Sequence, residues 1–144
     1  GPALEELRAQ FDSATTVFTG YLSGAELQAA FAAGDVFAFP SATETLGLVA
    51  LESFASGVPV VGTNAGGIPF VIEHEKTGLL VDEGATDEHW ASTLCSLLEN
   101  PQARQRMGRT AREEAERYSW RESTKALVAA YEYACRHPYH HEQP

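Results

Sequence analysis

Two carboxylates stand eight residues apart in TETLGLVALE, residues 43–52: Glu44 and Glu52. A carboxylate accepts hydrogen bonds and donates none, so neither suits a phosphate, whereas both suit vicinal hydroxyls. The run between them has the pattern of a helix start. The first turn of a helix presents unpaired N–H groups and the positive end of the macrodipole, a ready site for an anion. The amides of Leu46, Gly47 and Leu48 are the candidates to hold it, and Gly47 has no side chain to keep a phosphate away from the backbone. Glu52 follows Leu46 by about 9 Å of helix axis. A ligand with a diphosphate between two polyols fits this spacing, ribose at one glutamate and a hexose at the other. A plainer reading stays open: a glutamate near a helix start answers the dipole, and one in the second turn faces water.

The elements that must position these residues follow from periodicity. ALEELRAQF reads as a helix with Leu4, Leu7 and Phe11 on one face. TTVFTG (15–20) reads as a short strand with a turn at Gly20, and residues 24–33 as a helix capped by Gly34. DVFAFPS (35–41) is an apolar strand ended by Pro40, LGLVALESFAS (46–56) a helix closed by Gly57, and VPVVGT (58–63) another strand. NAGGIP (64–69) is a turn into a short helix, TGLLVD (77–82) a fourth strand, and helices follow over 87–99, 101–117 and 120–135. Short apolar strands alternating with helices indicate an α/β class: a Rossmann-like parallel sheet with helices on both faces, here followed by C-terminal helices. Ligands of such sheets bind outside the carboxyl ends of the strands. That edge would gather Gly20-Tyr21, the stretch from Pro40 to Thr45, and the stretch from Thr63 to Pro69.

Composition narrows the partners. Ten Lys and Arg against twenty Asp and Glu give a net charge of −10, which opposes nucleic acid and anionic membrane surfaces as partners of these residues. No apolar run approaches the roughly 18 residues of a membrane span, and no signal-peptide pattern opens the chain. The chain has no initiator Met; Gly1-Pro2 is either an added dipeptide or the interior of something longer. Cys95 and Cys135 read as reduced core thiols. PQARQRMGRTAREEAERY (101–118) reads as an exposed helical face rich in i,i+4 pairs, not a binding patch. His74 and His89 read as lone surface residues, and His137, His140 and His141 as part of a loose tail over 136–144. No metal site is expected there. EKTG (75–78) only echoes a phosphate-binding loop, and no G-x-G-x-x-G follows a strand.

The stretch DVFAFPSATETLGLVALESFASGVPVVGTNAGGIPFVI (35–72) resembles the donor-site signature of retaining glycosyltransferases of family 4, which have the GT-B fold. Glu44 and Glu52 match the family's E-x7-E motif, FTGYL its third-strand turn, TGLLV its last strand and RYSWRES (117–123) its closing helical segment. Gly1-Pro2 resembles the end of its GDGP turn. The resemblance implies a donor-binding domain over residues 1–135. Glu52 would accept from ribose hydroxyls, and Glu44, the catalytic candidate, would hold the donor sugar without serving as a base. The amides of Leu46, Gly47 and Leu48 would cradle the diphosphate, with Thr45 beside them among the donor-binding residues; the main chain at Gly20 and Tyr21 would flank the base, and Ala65, Gly66 and Gly67 would line the cleft near sugar and acceptor. A plain strand-to-helix turn explains the Gly66-Gly67 pair equally well.

The implied partners are a UDP- or GDP-sugar as substrate and the N-terminal domain of the same protein, with no metal or other cofactor. The family's Arg and Lys in a "GR…EK" stretch, its first two strands of this domain and its acceptor-binding domain have no counterpart here, so the residues present are expected to be inactive alone. Within the family the nearest resemblance is to plant and algal sulfoquinovosyltransferases, which transfer sulfoquinovose from UDP to diacylglycerol. That implies a lipid acceptor and a chloroplast membrane; another UDP- or GDP-hexose transferase implies cytoplasm or membrane periphery. A non-catalytic nucleotide-sugar-binding domain is the alternative from a different class.

Overall fold

Val60 and Val61 are neighbours in sequence and both are 0% exposed. Successive side chains of a strand point to opposite faces, so this pair requires a sheet covered on both sides. The computed structural model describes residues 2–12 and 14–137. Its sheet has three parallel strands in the order β1 (Phe37–Phe39), β2 (Val60–Asn64) and β3 (Gly78–Asp82). The helices are α1 (Pro2–Gln10), α2 (Gly24–Ala32), α3 (Leu48–Ala55), α4 (Asp87–Leu98), α5 (Pro101–Ala115) and α6 (Trp120–Arg136), with a 3-10 turn at Ile68–Phe70.

Each face of β2 has its own core. Val60 packs with Ala50 and Phe54 of α3, Ile68, Val71 and Ile72 around the 3-10 turn, and Ala111 of α5. Val61 packs with Val81 of β3, Leu97 of α4, and Ala103 and Met107 of α5. Helix α5 thus serves both faces, its N-terminal half one and its C-terminal half the other. The expected exposed, charge-paired face is one side of this helix, where Arg112 pairs with Glu116; on the other side Ala103, Met107, Gly108 and Ala111 are buried.

The expected strand over 15–20 is absent. Val17 is 85% exposed, and Thr15 N–H bonds to Asp12 O at 3.1 Å in a turn. A β-branched run becomes a strand only when a neighbour takes its backbone groups, and no described strand lies beside it. Phe18 instead meets Phe11 edge-on at 5.9 Å, with the Arg8 guanidinium 5.6 Å from its ring centroid. The two cysteines are free but exposed, not core thiols, because α6 buries no residue and Cys95 lies on the outer face of α4. His74 is exposed as expected, yet its Nδ1 accepts the Leu80 N–H at 2.9 Å and fixes the turn into β3. His140 and His141, and most of the expected tail, lie outside the described residues.

The turn joining α3 to β2 is pinned from both sides. Buried Ser53 donates its hydroxyl to Val58 O at 3.0 Å, and a side chain at Gly108 of α5 would stand 2.1 Å from Gly57 O. Helix α5 therefore rests on the backbone of this turn with no room for a methyl. Gly108→Ala should destabilise the fold by about 1–3 kcal/mol in urea unfolding, as overpacking does. Gln105→Ala, on the exposed side of the same helix, should stay within about 0.5 kcal/mol. Equal midpoints for the two variants would show that this contact does not matter.

Candidate functional site

The loops leaving the carboxyl ends of β1 and β2 hold each other. Gly67 N–H donates to Glu44 O at 2.7 Å. A Cβ on Gly67 would come within 2.1 Å of Thr45 O, and one on Gly66, whose φ is 57°, within 2.5 Å of Glu44 O. The two glycines are there because the second loop lies directly on the backbone of the first. They meet the peptides of Glu44 and Thr45, a bracing contact the sequence did not disclose.

Helix α3 starts two residues later than its apolar pattern suggests, because Gly47 is left-handed (φ 70°, ψ 33°) and acts as the N-cap. Its carbonyl accepts from Ala50 N–H at 2.9 Å and Leu51 N–H at 3.3 Å, so the helix begins there. A side chain at this position would meet Val71 at 3.5 Å, which sits in the core below. The cap residue has no side chain to offer the free amides. Glu44 supplies one instead: its Oε1 accepts from the N–H groups of Thr45 at 3.1 Å, Leu46 at 3.5 Å and Gly47 at 3.3 Å. Three successive amides converging on one oxygen form an anion-binding concavity. The amides that converge are those of Thr45, Leu46 and Gly47, not the expected Leu46, Gly47 and Leu48, and the chain's own carboxylate already takes them. Leu48, first in the helix, has no intrahelical carbonyl for its N–H.

Glu52 lies one turn into α3 and is exposed. No hydrogen bond or ion pair engages its carboxylate among the described residues. It borders two surface grooves. One runs between α2 and α3, with Leu27, Gln28, Phe31 and Arg112 on its walls. The other is apolar, formed by Leu46, Leu48, Tyr118 and Trp120. Trp120, at the head of α6, is 88% exposed. Sequence reading placed Tyr118 and Trp120 in the RYSWRES segment that resembles the family's closing helical segment but did not assign either to the site. Gly20 and Tyr21 are not packed against the other candidates. Tyr21 is 94% exposed, and open space surrounds the position of a Gly20 side chain. The structure thus gathers Glu44 to Leu48, Glu52, Gly66 and Gly67 at one end of the sheet.

Known proteins share both the sequence and the shape. The model of the family "Glycosyl transferases group 1" matches residues 4–114. The sulfoquinovosyl transferase SQD2 of Arabidopsis thaliana is 46% identical over 130 residues, which are 88% of this chain and 25% of that protein. A D-inositol 3-phosphate glycosyltransferase of Saccharomonospora viridis is 40% identical over 138 residues, 91% of this chain and 32% of that protein. The chain therefore spans about a quarter to a third of the length of these relatives. Among solved structures, sucrose-phosphate synthase of Thermosynechococcus elongatus superposes with a TM-score of 0.83 at 26% identity, over 94% of this chain and 34% of that one. HepE of Anabaena, solved with UDP-glucose, superposes with a TM-score of 0.71 at 28% identity, over 79% of this chain and 32% of that one. Both comparisons place the parallel sheet and its flanking helices among GT-B glycosyltransferases. With the family model spanning most of its length, this chain belongs to the group 1 glycosyltransferases.

Proposed function

We propose that these residues form the donor-binding part of a retaining, family-4 glycosyltransferase that moves a sugar from a nucleotide-sugar to an acceptor. The observation that carries the reading is the convergence of the Thr45, Leu46 and Gly47 amides at the head of α3, with the Glu52 carboxylate unengaged one turn away. Negative charge builds on the diphosphate as it leaves, and preorganised amides at a helix mouth stabilise it there. The amides and the helix dipole are what this reading relies on, without a metal. Glu52 accepts from the ribose hydroxyls, Glu44 from the donor sugar, and the Leu46–Leu48–Tyr118–Trp120 groove forms the apolar wall beside them. The likeness to HepE, solved with UDP-glucose, supports a UDP-sugar.

For the sugar and acceptor, the SQD2 likeness favours sulfoquinovose passing from UDP to diacylglycerol. On that reading the whole protein works at a chloroplast membrane, with its lipid contact outside these acidic residues; no described helix is long and apolar enough to cross a membrane. The likeness to the D-inositol 3-phosphate glycosyltransferases favours a second reading, a hexosyl transfer from a UDP- or GDP-sugar to an inositol phosphate. Product analysis of the whole protein separates them. Sulfolipid formed from UDP-sulfoquinovose and diacylglycerol upholds the first, and a glycosylated inositol phosphate replaces it with the second.

Two outcomes are expected of these residues themselves. In calorimetric titration with UDP, Glu52→Ala should weaken binding about tenfold or more, the worth of a hydrogen bond to a charged group. It should leave 2′,3′-dideoxy-UDP unaffected, and an equal loss for both nucleotides would remove Glu52 from the ribose. The isolated residues should also show no transferase or donor-hydrolysis turnover, since the acceptor site belongs to the rest of the protein. Turnover above background would overturn that division.

A further inference from the structure

On the nucleotide-sugar reading above, diphosphate, ribose and base follow one another in a fixed order, and α3 runs alongside them. The converging amides stand at residues 45–47 and Glu52 one turn into the helix, so a ribose at Glu52 has its phosphates toward the helix start. The base then leaves the ribose toward the other end of α3, where Ser56 lies about 6 Å beyond Glu52. Of the two grooves that Glu52 borders, the apolar one runs back along Leu46, Leu48 and Leu51 toward the amides. The groove between α3 and α2 reaches Ser56 and leads away from them. It is the one of the two in line with the base.

The α2–α3 groove offers about 680 Å³, within the roughly 300–1,000 Å³ of small-ligand sites. Leu27 and Phe31, one turn apart on α2, are half-buried in its wall, and Phe31 meets Phe37 of β1 edge-on at 5.4 Å. They offer an apolar surface to the plane of a ring. The polar groups of the groove are mostly committed. Arg112 bonds the carbonyl of Ala55 and pairs with Glu116 at 2.9 Å, and Ser56 donates its hydroxyl to Glu52 O at 3.2 Å. Gln28 stands apart: it lines the groove beside Leu27, is exposed, and no hydrogen bond engages its amide among the described residues. A side-chain amide sets a donor beside an acceptor. The edge of uracil sets a carbonyl beside an N–H, so the two match over two bonds. We infer that Gln28 is a further specificity-determining residue, which bonds the edge of uracil from the α2–α3 groove and sets the base the site takes. The inference rests on the nucleotide-sugar reading and adds to it a side chain that reads the base.

The test changes the edge that the base meets. UDP and GDP are titrated calorimetrically into the protein and into Gln28→Ala, Gln28→Glu and Glu52→Ala, with equal urea midpoints showing that the Gln28 variants are folded. Gln28→Ala should bind UDP about tenfold more weakly, the scale of two neutral hydrogen bonds lost. Gln28→Glu replaces the amide with a group that only accepts. Guanine presents it with two neighbouring N–H donors, whereas uracil presents one N–H between two carbonyls that repel it. The ratio of UDP to GDP affinity should therefore fall about tenfold or more in Gln28→Glu, a change of selectivity that a merely structural role would not produce. An unchanged ratio in Gln28→Glu overturns the inference whatever the affinities do, and so does full UDP affinity in Gln28→Ala. If Glu52→Ala still weakens UDP in either case, the nucleotide reading stands without Gln28. Absence of UDP binding by the wild type overturns both.

Discussion

Between the end of β1 and the first turn of α3 the chain turns through Gly47, whose φ of 70° is a conformation that L side chains rarely adopt. That turn faces the N–H groups of residues 45–47 toward one point and sets the helix carbonyls running away from it. An isolated loop would not hold such an arrangement, because each converging amide loses water and the aligned dipoles repel one another. Here Gly67 N–H clamps the peptide of Glu44 from one side while Val71 lies beneath Gly47. The concavity is a property of two strands' loops packed together, and the strands are what bring them together.

Those strands are short, and the burial of the central one is what holds the sheet together. Three residues of β1 and five each of β2 and β3 would form a marginal sheet in water. Val60 and Val61 are held between two cores, so the sheet is stabilised through its faces more than through its ladder. Helix α3 is the element shared by core and site. Ala50, Ser53 and Phe54 point inward and are buried, while Glu52 points outward at the site. The spacing of an amphipathic helix therefore delivers a free carboxylate at a fixed distance from the amides, and the side facing the core prevents the helix from sliding.

What the sequence revealed followed from burial. Continuous apolar runs at DVFAF, VPVVG and GLLV marked the strands because buried parallel strands need no alternation, and the two glutamates stood out because charge beside such runs is unusual. TTVFTG had the composition of a strand but lacks a described neighbour to pair with, and composition does not report pairing. The helix boundary was misplaced by two residues because Leu46 continues the apolar spacing, and only the backbone shows that Gly47 interrupts it. The Glu44 carboxylate folded over its own amides was not legible at all. Local side-chain-to-backbone bonds depend on a loop conformation that a neighbouring loop imposes, and the Gly66-Gly67 contact that imposes it spans more than twenty residues of sequence.

The acidity of the chain bears on how such a site can work. With a net charge of −10, the field of the whole molecule opposes a diphosphate at long range. The cation in the groove beside Glu52 is already engaged: Arg112 bonds the carbonyl of Ala55 and pairs with Glu116 at 2.9 Å. At physiological ionic strength the distant charges are screened beyond about 8 Å, whereas amides in contact with the ligand are not screened by solvent ions. Backbone dipoles also carry no net charge, so they add nothing to attract unrelated anions from afar. On the donor-site reading proposed above, converging N–H groups on an acidic domain would favour shape over charge. On the same reading, polyanions that approach electrostatically would find carboxylates first, whereas a small ligand with hydroxyls on both sides of its phosphates would meet acceptors where it has donors.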